Sequence, residues 1–184
     1  MNSRMNKSTL TIAKIGLFTA VTAILSQIAI PLPSGVPITL QTFTIALCGY
    51  VLGSKNGPLS ILIYILLGAL GVPVFANFKA GIGVLFGVTG GFIWGFIILA
   101  YLCGLNIYFK NEKIGIILGL VGLTICHILG VAQFALVTSS EFLKSFLIVS
   151  MPYLIKDSLS IVAAYLVAVT VRKRLVKANL IEID

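Results

Sequence analysis

Residues 72–92, VPVFANFKAGIGVLFGVTGGF, place an amide, Asn77, and an ammonium, Lys79, in a segment that is otherwise apolar or glycine. Hydrocarbon cannot satisfy such polar groups, so they require partners of their own. The glycines of the segment permit tight bends and let a ligand approach the backbone closely. The segment is therefore interpreted as a binding loop between two membrane helices.

The rest of the chain is too apolar for a soluble domain. Of its 184 residues, 59% are hydrophobic and only 18 are charged, namely 13 Lys and Arg plus 5 Asp and Glu, and the mean hydropathy is +1.12. No charge occurs between Lys14 and Lys55, or between Lys79 and Lys110. Because a helix needs about 20 apolar residues to cross a bilayer, these runs hold several spans. We predict an all-α, polytopic protein of the lipid bilayer, with one domain over residues 1–184.

Proline, glycine and charged connectors divide the chain into six predicted spans. Pro31 and Pro33 end the first span and Pro73 ends the third, because proline cannot continue a helix. A turn over residues 54–58, SKNGP, separates the second span from the third. Residues 137–151 combine charge with an apolar patch and predict a short helix at the membrane interface. The expected spans are residues 10–30, 39–53, 58–72, 89–105, 114–136 and 152–171.

Lysine and arginine are distributed unevenly among the connectors. If both termini are cytoplasmic, only Lys79, Lys144 and Lys156 of the 13 basic residues lie outside. This bias follows the positive-inside rule and requires an even number of spans. The inner residues are Arg4, Lys7, Lys14, Lys55, Lys110, Lys113, Arg172, Lys173, Arg174 and Lys177. We therefore expect a multi-pass membrane protein with cytoplasmic termini and with its binding connectors outside.

A stripe of small residues marks the first span. Gly16, Ala20 and Ala23 lie three or four positions apart and share one face of the helix. Small side chains let another helix approach closely. The spacing leaves two interpretations open, contact with a partner protein and ordinary packing within the bundle, and by itself it favours the second.

Further polar residues lie at the outer ends of the predicted spans. Thr39 and Gln41 begin the second span, and Tyr153, Lys156 and Asp157 lie in the first turns of the sixth. A carboxylate within a membrane is costly without a partner, which makes Asp157 a functional candidate. The alternatives are an interfacial carboxylate stabilised by the helix N-terminus, and helix capping by Thr39 and Gln41.

Combined with Asn77 and Lys79, this polar set suits a particular kind of small molecule. A carboxylate and an amide match a neutral group with N–H donors and a carbonyl acceptor, and an ammonium matches a carboxylate. Val74 and Phe75 could form apolar walls of the pocket. Plain packing against the core or lipid is the alternative for these two side chains.

The remaining chemistry-bearing residues suggest no catalytic site. His127 has no second His, Asp or Glu within a helical turn, so it is interpreted as a buried structural residue. The three cysteines lack the paired spacing of metal or redox sites. No Walker motif and no nucleophile with a base occur, so we expect no enzyme, no cofactor and no ATP hydrolysis by this chain. Basic residues sit in short connectors rather than on one face, so the net charge of +8 does not indicate nucleic acid.

Four segments closely resemble the BioY family, and the resemblance extends over essentially the whole chain. They are PLPSGVPITLQTF at 31–43, YVLGSKNG at 50–57, YILLGALGVPVFANFKAGIGVLFGVTGGF at 64–92 and PYLIKD at 152–157. The combination of VPITLQT with GVPVF is highly specific. BioY proteins are the biotin-binding substrate-specificity subunits, or S components, of prokaryotic energy-coupling-factor (ECF) transporters.

The resemblance implies a six-helix S component with a biotin pocket on the extracellular side, closed by the loop between the first two helices. It implies transport with a transmembrane coupling protein and two ATPase subunits, which use ATP outside this chain. It also implies that Gly16, Ala20 and Ala23 meet the coupling protein. The alternative function is a stand-alone biotin facilitator or an ion-coupled vitamin carrier.

The same resemblance implies individual ligand contacts. Asn77 and Asp157 would contact the ureido ring of biotin, with Gln41, Thr39 and Tyr153 nearby.

The resemblance makes Lys79 the first choice for the biotin carboxylate. Relatives often have a lysine three residues after the aspartate of the sixth helix. This chain has Ser160 there and a lysine, Lys156, directly before the aspartate. The choice between Lys79 and Lys156 therefore stays open.

Overall fold

The structure, a computed structural model, describes residues 7–109 and 111–178. Arg4 and Lys110, which contributed to the charge count above, lie outside the described residues. The described helices and strands are α1 (Lys7–Leu25), β1 (Ala29–Ile30), β2 (Ile38–Thr39), α2 (Gln41–Ala69), α3 (Gly83–Phe86), α4 (Gly90–Gly104), α5 (Glu112–Thr138), α6 (Phe142–Val149) and α7 (Met151–Lys177), with 3-10 turns at Ala76–Phe78 and Leu105–Tyr108.

Within the described chain, five helices are long and apolar enough to cross a membrane, and one of them, α2, is interrupted. The helix α2 has a non-helical residue, Gly53, with φ 83° and ψ 176°. A Cβ atom built on Gly57 would lie 2.9 Å from the Cα atom of Gly49. Eight residues of straight helix extend about 12 Å, so a straight helix would keep Gly49 and Gly57 that far apart. Residues 41–52 and 54–69 therefore form two helical segments that pack against each other. The all-α fold therefore has six principal helical segments.

The chain reverses at Gly53 rather than over residues 54–58, which are helical. A positive φ of this size carries a steric penalty for residues with a Cβ atom but not for glycine. One glycine can therefore replace the five-residue turn that the composition of this connector suggested.

The other expected spans overlap α1, α4, α5 and α7, although their ends differ. The helix α1 ends at Leu25 rather than at residue 30, because residues 29 and 30 form β1, which pairs antiparallel with β2. The helix α7 continues to Lys177 rather than ending at Val171. The guanidinium of Arg172 donates to the carbonyl oxygen of Val51 at 3.2 Å and so ties α7 to the residues just before the chain reversal.

The connector before α7 contains the short helix that its composition predicts. In α6, the side chains of Phe142, Leu143 and Leu147 are at least half exposed, whereas Ser145 and Val149 are buried. The helix therefore has one face against the bundle and one apolar face outward, as an interfacial helix requires.

Glycines let α4 and α5 approach each other closely. A Cβ atom on Gly95 would lie 2.7 Å from the Cα atom and 2.8 Å from the Sγ atom of Cys126, and one on Gly91 would lie 2.2 Å from the carbonyl oxygen of Leu129. Small residues at helix contacts are the usual means of close packing in membranes. The four-residue spacing of Gly91 and Gly95 therefore places both glycines on the face of α4 that contacts α5.

We expect Gly95→Ala to destabilise the protein by about 1–3 kcal/mol, because the added methyl group forces the α4 and α5 backbones apart. Thermal unfolding in detergent measures the effect. Gly16→Ala is the matched control, since a Cβ atom there meets nothing within 4 Å and alanine favours a helix over glycine. Equal unfolding temperatures for both variants and the wild type would contradict the tight α4–α5 contact.

Candidate ligand-binding site

A cavity lies among the start of α2, the first half of α4, the middle of α5 and the first turns of α7. The space within its walls, including open solvent at the mouth, is about 700 Å³. The segments 31–39 and 72–92 complete its wall. The lining residues are Val36, Pro37, Thr39, Gln41, Thr42, Phe75, Ala76, Lys79, Val84, Thr89, Phe92, Ile93, Phe96, Leu123, Cys126, His127, Val149, Tyr153, Lys156 and Asp157.

Asp157 is the buried carboxylate of this cavity, with 5% of its surface exposed. Its Oδ1 atom lies 2.5 Å from the ammonium nitrogen of Lys156, and its Oδ2 atom lies 3.4 Å from Nε2 of His127. Oδ1 thus has the Lys156 ammonium as its ion-pair partner. A carboxylate oxygen has two lone pairs, so Oδ1 can also accept a hydrogen bond from a donor in the cavity.

His127 is held from two sides. Its Nδ1 atom lies 2.8 Å from Oγ of Ser150, and its ring packs edge to face against Phe92, with 5.7 Å between the ring centroids. A neutral ring that carries its proton on Nε2 satisfies both polar contacts, because it donates toward Asp157 and accepts from Ser150. The imidazole thus orients the Asp157 carboxylate.

Two side chains of α7 fasten the connector that precedes α2. The hydroxyl of Tyr153 donates to the carbonyl oxygen of Val36 at 2.6 Å, and the ammonium of Lys156 donates to the carbonyl oxygen of Thr39 at 2.8 Å. Val36 and Thr39 both line the cavity. The first turns of α7 therefore provide lining groups and also hold the connector over the site.

The start of α2 carries a buried hydrogen-bond network. Thr39 donates to Oε1 of Gln41 at 3.1 Å, and Nε2 of Gln41 donates to the hydroxyl of Tyr64 at 2.9 Å. That hydroxyl also lies 3.1 Å from Oγ of Ser26. The backbone N–H of Gln41 donates to Oγ1 of Thr39, but the N-cap residue of α2 is Leu40, which makes no side-chain capping bond. Both Thr39 and Gln41 line the cavity.

The segment 72–92 contributes a compact turn. Phe75 donates its backbone N–H to the carbonyl oxygen of Lys79 at 3.1 Å. Phe75 is buried, and its ring occupies the space beside Gly68, where a Cβ atom would lie 2.2 Å from the ring. The ammonium of Lys79 has no ion-pair partner in the described part of the chain. A flexible cation thus stands exposed beside the cavity.

Seven of the nine residues predicted to bind the ligand line one cavity: Thr39, Gln41, Phe75, Lys79, Tyr153, Lys156 and Asp157. The other two do not. Asn77 is exposed in a left-handed backbone conformation, with φ 58°, and Val74 is buried in the core. The ligand contacts of all nine residues stay predictions.

The place of His127 in the cavity is not predicted by its neighbours in the sequence. Its partners do not lie within one turn of the same helix, because Ser150 and Asp157 follow it by 23 and 30 residues. The signal that could have found it is its place in mid-span, where an ionisable side chain is a functional candidate by default. Among the described residues, no group of three or more His, Cys, Asp and Glu could hold a metal ion.

Two of the three small residues of α1 face away from the bundle, whereas Ala23 packs against the core. Gly16 and Ala20 are exposed and Ala23 is half-buried. Thr19, in contrast, is buried and lies 3.0 Å from both the hydroxyl and the carbonyl oxygen of Ser60 on α2. Gly16 and Ala20 therefore present an open helix face.

These features define a polytopic helical membrane protein that can enclose a small molecule in a partly polar cavity. The BioY family profile matches residues 1–177. The chain is 41% identical over 162 residues to the biotin transporter BioY of Thermotoga maritima, which covers 87% of this chain and 94% of that protein. It is 38% identical over 160 residues to the probable biotin transporter BioY of Pyrococcus horikoshii, with coverages of 85% and 93%. The chain belongs to the BioY family.

The fold is also similar to a solved structure, the crystal structure at 2.1 Å of the S-component for biotin from an ECF-type ABC transporter. The TM-score is 0.82 at 24% identity, and the match covers 92% of this chain and 94% of that chain. The two chains therefore share one fold.

Proposed function

We propose that this chain binds biotin as the S component of an ECF-type transporter in a prokaryotic cell membrane. The observation that carries the proposal is the cavity of about 700 Å³ with Asp157 and Lys79 in its lining. It occurs in a chain that is 41% identical to a biotin transporter over 94% of that protein. The function is transport of a ligand and not catalysis.

The cavity suits the ureido end of biotin, which has two N–H donors and one carbonyl acceptor. Oδ1 of Asp157 is paired with the Lys156 ammonium and has a second lone pair that can accept a hydrogen bond from a ureido N–H. Phe92 and Phe96 offer apolar surface for the fused rings. Asn77 is exposed outside the cavity, so with the turn of residues 75–79 in this conformation it can contact a ligand only at the cavity mouth.

The carboxylate tail of biotin needs a cation, and Lys79 suits it better than Lys156 does. The ammonium of Lys156 already contacts Asp157 and the carbonyl oxygen of Thr39. The ammonium of Lys79 has no ion-pair partner in the part of the chain that the structure describes. Binding a carboxylate at Lys79 therefore disrupts no existing ion pair.

We expect Lys79→Met to lower biotin affinity about 3- to 10-fold, a range that reflects an exposed and solvent-screened charge pair. The methyl ester of biotin, which lacks the negative charge, should bind both proteins equally. Lys144→Met removes another exposed lysine outside the cavity and serves as the control. An equal loss of affinity for the ester would show that Lys79 contributes packing rather than charge.

Calorimetric titration of the ligand-stripped protein in detergent tests the biotin assignment. One-to-one binding of biotin, without binding of lipoate, would support it, because lipoate has a carboxylate tail but no ureido ring. Absence of biotin binding to folded protein would overturn it.

We also propose the partners and the orientation of the chain. A transmembrane coupling protein and two ATPase subunits supply the ATP-driven step, and the stripe of Gly16, Ala20 and Ala23 contacts the coupling protein. The exposure of Gly16 and Ala20 supports this contact. Both termini face the cytoplasm, as the distribution of basic residues indicates. Biotin uptake by liposomes that contain only this chain would instead favour a stand-alone carrier.

A further inference from the structure

Gln27 lies two residues beyond the end of α1, and its side chain bridges that helix to the segment 72–92. Its Nε2 atom donates to the carbonyl oxygen of Ala23 and to that of Val74, each at 3.0 Å. Its Oε1 atom accepts from the backbone N–H of Phe78 at 2.9 Å. One side chain thus uses both donors and its acceptor, and two of the three bonds cross to the segment 72–92.

The turn that Gln27 holds has an unusual backbone. Asn77 and Phe78 have φ values of 58° and 57°, so two consecutive residues with Cβ atoms adopt the left-handed conformation. Such residues persist when the surrounding structure holds them in place, and they concentrate at ligand clamps and switch regions. The hydrogen bond from Phe78 to Gln27 fixes this turn at its strained position.

The same turn provides part of the cavity wall. Phe75, Ala76 and Lys79 line the cavity, whereas Gln27 does not. The neighbouring anchor of the turn is the hydrogen bond from the backbone N–H of Gly81 to the carbonyl oxygen of Gly68, at 2.7 Å. That bond lies after Lys79, so Gln27 secures the part of the turn that presents the cavity residues.

We propose that Gln27 is a positioning residue for ligand binding, which holds the turn of residues 75–79 in its binding conformation and links the end of α1 to the cavity wall. The proposal rests on the proposed function, in which this cavity binds biotin. Because Gln27 touches the turn through backbone groups, its effect does not depend on the side chains that the turn carries. A displacement of α1 relative to α2 is then transmitted to the wall of the cavity.

The test compares Gln27→Met, which preserves length but removes every hydrogen bond, with Gln27→Glu, which keeps the acceptor for Phe78. We expect Gln27→Met to lower biotin affinity about 5- to 50-fold. Gln27→Glu should lower it at least as much, because the carboxylate oxygen that replaces Nε2 would face the carbonyl oxygens of Ala23 and Val74. Ile24→Met, at an exposed position one turn earlier in α1, is the control and should bind as the wild type does. Unchanged affinity in both Gln27 variants would overturn the proposal.

Hydrogen exchange separates positioning from general loss of structure. Backbone amides of residues 74–79 should exchange faster in Gln27→Met, while those of α4 and α5 keep the wild-type rate. Faster exchange throughout the protein would overturn a local role. The exchange measurement needs no ligand, so it still tests Gln27 if the wild-type protein does not bind biotin, an outcome that would overturn the proposed function instead.

Discussion

Asp157→Asn is expected to lower the affinity for biotin by roughly 10- to 150-fold, because a hydrogen bond to a charged group contributes about 1.5–3 kcal/mol. The carboxylate is almost wholly buried, and its Oδ1 atom has room for a second donor besides the Lys156 ammonium. A ureido N–H would supply that donor. The asparagine amide keeps the shape of the side chain but offers a neutral oxygen in place of a charged one.

The substitution also changes the balance of charge around the cavity. Lys156 has 32% of its side chain exposed and meets its counter-ion in Asp157. Without this carboxylate, Lys156 keeps its hydrogen bond to the carbonyl oxygen of Thr39 but loses its ion pair. A partly buried charge without a partner is unfavourable, so we expect the ligand-free variant to unfold at a lower temperature than the wild type.

Calorimetry and thermal unfolding on the same preparation measure the two effects separately. Glu141→Gln provides the matched control, since it removes a carboxylate that is exposed at the start of α6. It should leave biotin affinity unchanged. If Asp157→Asn remains folded and binds biotin as tightly as the wild type, Asp157 does not contact the ligand.

The helical architecture and seven of the twenty residues that line the cavity could be predicted from the sequence because both depend on local patterns. Long uncharged runs between charged connectors indicate membrane helices, and the polar residues at the ends of those runs converge where the ends meet. Thr39, Lys79 and Asp157 are examples, since each lies near the boundary between a helix and a connector. The family resemblance then assigned these residues to one ligand.

The features that the sequence did not reveal depend on contacts between distant segments. His127 gains its role from residues of α7 and the residue before it, and Gln27 from a segment about 50 residues later. Asn77 is a polar residue of the predicted binding loop that does not line the cavity. Its left-handed backbone conformation leaves it exposed outside the cavity. No periodic pattern in the sequence indicates that turn, because the side chain that stabilises it, Gln27, lies in a distant part of the chain.

His127→Leu is expected to lower biotin affinity about 10- to 100-fold, because the leucine keeps the site filled but removes both polar contacts of the ring. The contact with Asp157 spans 3.4 Å, longer than the usual hydrogen-bond range of about 2.7–3.2 Å. The imidazole therefore orients the carboxylate by a loose electrostatic contact. Its loss leaves the carboxylate held by Lys156 alone and able to turn away from the ligand.

His127→Gln distinguishes this orienting role from simple packing. Glutamine can donate toward Asp157 and accept from Ser150, so we expect it to retain affinity within about 5-fold of the wild type. Ser150→Ala removes only the partner of Nδ1 and should have a smaller effect than His127→Leu. If the glutamine and leucine variants bind biotin equally weakly, the ring contributes shape against Phe92 rather than a proton toward Asp157. If all three variants bind as the wild type does, Asp157 needs no orienting partner, and the first interpretation of His127 as a structural residue is correct.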